Sequence, residues 1–160
     1  MVSQTDWRMT DAACEVWFYR LERTSLERAL PELLERTLQR GWRAVVRSRD
    51  AARVAALDEH LWSWREDSFL AHGRAEDPHA ERQPILLTTG DANPNGAQAL
   101  FCLDGADPGD LSGYARCLVM FEGGDEAAVE IARTQWREVT ARDLPRAFWR
   151  QTDTGWEKQS

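Results

Sequence analysis

Short β-forming runs alternate with amphipathic segments along nearly the whole chain, and this switching between a two-residue and a 3.6-residue apolar period is its strongest constraint on fold. CEVWFYR (14–20) is apolar and rich in β-formers, which predicts a first strand. In TSLERALPELLERTLQRG, which follows, Leu26, Leu30, Leu33, Leu34 and Leu38 recur at helical spacing. Thr24 and Glu27 make a capping-box pattern and Gly41 is a natural stop. Pro31 has no N–H to donate, so this helix is expected either to start late or to kink. WRAVVR (42–47) predicts a second strand, and AARVAALDEHLWSW (51–64) a second helix with Val54, Leu57, Leu61 and Trp64 on one stripe.

Residues 65–83 combine Gly, Pro, His and acidic residues with few apolar ones, which reads as a long loop; loops of that length in a compact domain are usually functional. Three more strands follow at PILLTT (84–89), ALFCLD (99–104) and ARCLVMFE (115–122), the first two joined through GDANPNG. A helix over 125–142 opens with Asp125 and Glu126 and closes on arginines, as its dipole favours. RAFWRQT predicts a last strand and GWEKQS a frayed or extended tail. This order implies an α/β domain of three layers, Rossmann-like, with a mainly parallel sheet flanked by helices. At 160 residues it is expected to be a single domain spanning 1–160, with its core at about 12–152 and a tail at 153–160.

Several chemistries lack their signatures. The turn after the first strand, LERTSLER, has no glycine, so neither a dinucleotide fingerprint nor a phosphate-cradling loop is present. His60, His72 and His79 contain no i, i+4 pair, and no metal is expected. Cys14, Cys102 and Cys117 sit in apolar stretches without C-x-x-C, which predicts reduced, buried thiols in the cytoplasm. No G-x-S-x-G occurs, no cofactor is implied, and catalysis finds no support. The N-terminus has no basic head before an apolar run, and nowhere do apolar residues run long enough to cross a bilayer, so neither secretion nor a membrane partner is expected.

A net charge of −7 argues against wrapping a nucleic-acid backbone, so any contact with DNA is expected to be indirect. Yet between Arg133 and Arg150 five arginines face only Glu138 and Asp143, a local +3 that leaves −10 on the rest. Such a patch suits a short acidic ligand. Arg133 and Arg137 are one helical turn apart, and Trp136 lies between them and the buried stripe of Val129, Ala132 and Val139. An indole floor with a guanidinium rim matches an aromatic side chain bearing a carboxylate, although arginines near a helix end also serve its dipole. Eight tryptophans in a chain this short add weight to a binding role. On the second helix Trp62 lies about 160° round from Trp64, so both cannot share one pocket. Trp62, with Phe69 and Leu70 just beyond, makes an aromatic docking surface if exposed; the loop folding back over these rings is the alternative.

VWFYRL, LPELLERTLQRGWRAVVR, LDEHLWSWREDSFLAHG, ERQPILLTTGDANPNGAQALFCLDG and ARTQW together resemble the chi subunit of bacterial DNA polymerase III holoenzyme, a clamp-loader accessory protein, over about residues 15–150. The resemblance implies a non-catalytic adaptor with two partners: the psi subunit of the clamp loader, and the acidic, phenylalanine-ending tail of single-stranded DNA-binding protein. It implies psi docking at Trp62 and Phe69, with Leu70 alongside, and tail binding at Arg133, Trp136 and Arg137. A lysine that some relatives carry four residues before that arginine is Val129 here, which thins the cationic rim. Arg142 and Arg146 are candidates to compensate. The rival from another class is a small α/β enzyme acting on a nucleotide or phosphorylated metabolite, with 65–83 as its lid.

Overall fold

A computed structural model describes residues 14–64 and 70–159. Its elements are β1 (Glu15–Leu21), α1 (Leu26–Gln39), β2 (Ala44–Ser48), α2 (Ala51–Ser63), β3 (His72–Arg74), a 3-10 turn at Ala80–Arg82, β4 (Ile85–Thr88), β5 (Ala99–Leu103), β6 (Arg116–Glu122), α3 (Glu126–Ala141), β7 (Arg146–Gln151) and β8 (Trp156–Lys158). The strands form one sheet in the order β3-β4-β2-β5-β6-β1-β7-β8. Every pairing is parallel except β7 with β8. The chain is thus a mixed α/β domain with a mostly parallel sheet, as the alternation of periods requires.

Successive strand residues feed different cores, because side chains alternate across a sheet. Val16, Phe18, Val45, Leu86, Leu100, Cys117 and Val119 join one cluster with Ala132 and Val139 of α3. Their neighbours Tyr19, Leu21, Val46, Ile85, Phe101, Leu118 and Met120 join the other with leucines of α1 and α2. Strands that are buried on both sides read as continuous apolar runs, and β2, β4 and β5 are buried at every position.

Three local readings are revised. Ser25, not Thr24, is the N-cap of α1 and makes no side-chain cap hydrogen bond, so the expected capping box does not form. Thr24 is recruited elsewhere: its hydroxyl accepts from Gln151 Nε2 at 2.9 Å. Nor does α1 start late, for it runs through Pro31. The missing proline N–H leaves the Glu27 carbonyl without its helical donor, and His60 Nε2 of α2 lies 2.7 Å from that oxygen, replacing the lost bond across the helix pair. Finally, the expected loop at 65–83 contains β3 and the 3-10 turn, and the tail pairs onto β7 as β8. Apolar content in these short edge pieces is too low to announce them.

Candidate partner-binding surfaces

The first surface is built on α3. Asp125 caps the helix, its carboxylate accepting from the amides of Ala127 and Ala128 at 3.1 and 3.2 Å. That fixes a face on which Ala132 and Val139 are buried and Trp136 is half-buried. Beneath Trp136 the sheet contributes aromatic rings from neighbouring strands. Phe18 of β1 meets the indole edge-on at 5.2 Å and Phe148 of β7 at 5.9 Å. Parallel register places Phe18 opposite Phe148 and Arg20 opposite Phe121, so these four side chains share the face that α3 covers.

Beside Trp136 opens a groove of about 310 Å³, floored by Val129, Ala132, Phe121 and Phe148 and rimmed by Arg20, Arg133 and Arg137. Arg133 is largely exposed and holds Glu130 at 2.9 Å; Arg137 donates to Thr134 Oγ1 at 3.3 Å. Arg20 is held more firmly, with Glu22 at 2.5 Å and the Gly123 carbonyl at 3.4 Å. The structure therefore brings the three sequence-designated residues, Arg133, Trp136 and Arg137, to one groove. It adds Arg20, Phe121 and Phe148, which lie on strands far away in sequence; Arg20, the charged residue inside VWFYRL, was the available signal. Of the two compensating candidates, Arg146 lies 5.8 Å from the Trp136 ring, whereas Arg142 points to the Gly109 carbonyl at 3.2 Å.

The second surface surrounds Trp62. Its indole is 54% exposed, the one large apolar side chain so exposed among the described residues, while Trp64 packs against the core. Trp62 rests on the buried ring of His72 at 4.3 Å. His72 Nδ1 faces the Leu70 carbonyl at 2.7 Å, and Nε2 faces the Asp58 carbonyl and carboxylate at 2.9 and 3.0 Å. Asp58 also accepts from Arg74 Nε at 2.9 Å. The imidazole thus ties β3 to the end of α2 and gives Trp62 a fixed seat. Leu70 requires correction: it is only 2% exposed and belongs to the core, because the chain entering β3 turns it inward beneath α2. Phe69 lies outside the described residues.

The crevice of about 270 Å³ at the carboxyl ends of β2, β5 and β6 occupies the position where open α/β sheets often hold ligands. Its guanidiniums are already committed. Arg53 is engaged by Glu27 and by Asp104, the latter at 3.1 Å, and Arg49 donates to the Asp104 carbonyl at 3.2 Å. In the β1–α1 turn, where a phosphate cradle would sit, the amides of Glu22, Arg23 and Thr24 converge on Gln151 Oε1 at 3.0, 2.7 and 3.1 Å. The chain's own amide oxygen fills that nest. Among the described residues no three His, Cys, Asp or Glu side chains gather as a metal site, and no helix is long and apolar enough to cross a membrane. Burial pushes the Cys14 thiol up to about 11, and the Cys102 partner together with burial pushes Cys117 upward as well.

The family model described as DNA polymerase III chi subunit, HolC, matches residues 14–146, which takes in the Trp62 surface and every lining residue of the Trp136 groove except Phe148. The chain belongs to this family. A curated relative, the probable DNA polymerase III subunit chi of Rickettsia prowazekii (strain Madrid E), is 29% identical over 80 residues. That likeness covers 50% of this chain and 48% of the relative, so the chain spans about half the length of the curated relative it matches.

Proposed function

We propose that the chain is a non-catalytic adaptor that joins the clamp loader, through psi or a partner in its place, to the C-terminal tail of single-stranded DNA-binding protein, as a three-layer Rossmann-like domain working in the cytoplasm at the replisome. The observation that carries this reading is the groove beside Trp136: an apolar floor of aromatic and aliphatic side chains under a rim of three arginines, on a chain whose net charge is −7. A tail phenylalanine laid against Trp136 and Phe148 buries apolar area worth roughly 2 to 3 kcal/mol. Contacts of Arg133 and Arg137 with tail carboxylates each add about 0.5 to 1 kcal/mol, because both guanidiniums stand in solvent.

After the loss of translational and rotational freedom, these terms support only weak binding of one tail, on the order of micromolar. Coupling arises from repetition. Many tails on coated DNA, and an adaptor tethered to the loader, give rebinding at high effective concentration. Trp62 and Phe69 supply the loader side of the bridge, with Trp62 seated on His72.

The test uses single-stranded DNA immobilised and coated with single-stranded DNA-binding protein, intact or lacking its tail. Retention only on the intact coat, lost on raising salt, supports the adaptor; equal retention on both coats rejects it. The enzyme alternative predicts instead a thermal shift with nucleotides.

A further inference from the structure

We propose that a second groove, between the latter half of α1 and the sheet, docks a short acidic peptide segment that places one apolar side chain between carboxylates. The groove holds about 220 Å³, with Leu33, Leu118 and Trp17 at its floor and Arg36, Arg40 and Arg116 at its rim. Its floor residues belong to or pack on the core shared with α1 and α2, whereas the Trp136 groove lies over the core shared with α3. The two sites are separate.

Stacking fixes the rim. The Arg116 guanidinium carbon lies 3.8 Å from the Trp17 ring centre and 5.3 Å from that of Trp42, and Arg40 lies 4.1 Å from Trp42. Guanidiniums laid over indoles keep their N–H edges for oxyanions while losing little further side-chain freedom on binding. Their charge is poorly matched from within the chain. Arg116 reaches Glu15 at 3.3 Å, and its Nε is buried without an acceptor. Neither Arg36 nor Arg40 has an ion pair among the described residues. The groove's own lining holds three cations and no carboxylate, with Glu15 paired to Arg116 at its edge and Glu32 one turn from Arg36 on the far side, a local excess on a chain of net charge −7.

Two features select a peptide over a single-stranded nucleic acid. The indoles already carry guanidiniums, so the open ring faces that stacked bases need are taken. The excess is also short-range, and a long polyanion would run onto the acidic remainder of the surface. An apolar side chain entering the groove with carboxylates on either side meets both the floor and the rim. This chemistry needs no free C-terminus, which distinguishes it from a terminal tail.

The experiment follows the indole N–H signals of the ¹⁵N-labelled full chain, assigned by single Trp→Phe substitutions. The probes are Asp-Asp-Phe-Asp-Asp blocked at both ends, and decathymidylate. Saturable shifts of the Trp17 and Trp42 signals with the peptide are expected. Arg36→Gln with Arg40→Gln, both at solvent-exposed positions, should weaken binding roughly five- to thirtyfold. Arg133→Gln should leave those two shifts unchanged. Silent Trp17 and Trp42 signals, an unaltered affinity in the folded double variant, or tighter binding of decathymidylate there would each overturn the proposal. Failure of the tail reading would silence only Trp136, so the two outcomes are distinguishable.

Discussion

Glu130 restrains the Trp136 groove, and Glu130→Gln is therefore expected to tighten tail binding. Its carboxylate holds Arg133 at 2.9 Å, with side chains 67% and 62% exposed, so the ion pair is a solvent-screened one. Such a pair contributes about 0.3 to 0.5 kcal/mol, which an incoming carboxylate must displace before it can use the same guanidinium. Glu130 also repels the ligand directly. At a separation of about 7 Å in water that repulsion is roughly 0.6 kcal/mol before salt screening reduces it. Removing both effects predicts a gain of about 0.5 to 1 kcal/mol, or roughly two- to fivefold in affinity at low salt. The assay is fluorescence anisotropy of a labelled acidic peptide ending in phenylalanine, titrated at two ionic strengths. Arg133→Gln should weaken binding by a similar factor and flatten its salt dependence. In the double variant the benefit of Glu130→Gln should shrink to the repulsion alone. Unchanged or weaker binding by Glu130→Gln would refute the competition argument.

Trp62→Ala, at a position 54% exposed, should abolish co-purification with psi while leaving tail affinity intact; loss of both would signal a folding defect. His60→Ala should cost about 1 kcal/mol of stability in the native chain but less in a Pro31→Ala background, where the Glu27 carbonyl regains a helical donor; equal losses in a urea-denaturation cycle would contradict that replacement. Gln151→Ala strips the acceptor from the three turn amides of Glu22, Arg23 and Thr24 and should lower stability by about 1 to 2 kcal/mol, since water replaces it only in part; no change in the urea midpoint would refute the role.

Where apolar periodicity is strong, the sequence was sufficient. The leucine stripe of α1 and the continuous runs of β2, β4 and β5 follow from burial alone. Trp62 and Trp64 separate as the helix wheel requires, one outward and one against the core. What stayed hidden were features decided by partners distant in sequence. Leu70 turns inward through the arrangement of β3 beneath α2, which no local period encodes. Gln151 fills a turn more than a hundred residues earlier, and His60 mends a break made by a proline on another helix. On α3, Arg133, Trp136 and Arg137 were legible because they share one helix, whereas Arg20, Phe121 and Phe148 reach the groove only through strand register.

On the proposed function, Trp136 and its surrounding arginines receive the acid-ended aromatic tail. This is tested most directly by the indole N–H resonance of Trp136 in the ¹⁵N-labelled chain, titrated with that tail peptide bearing either a free or an amidated C-terminus. A saturable shift with the free peptide, diminished by amidation and by salt, is the predicted result. A Trp136 signal that stays in place at millimolar peptide, in a chain whose other resonances report an intact fold, would contradict it.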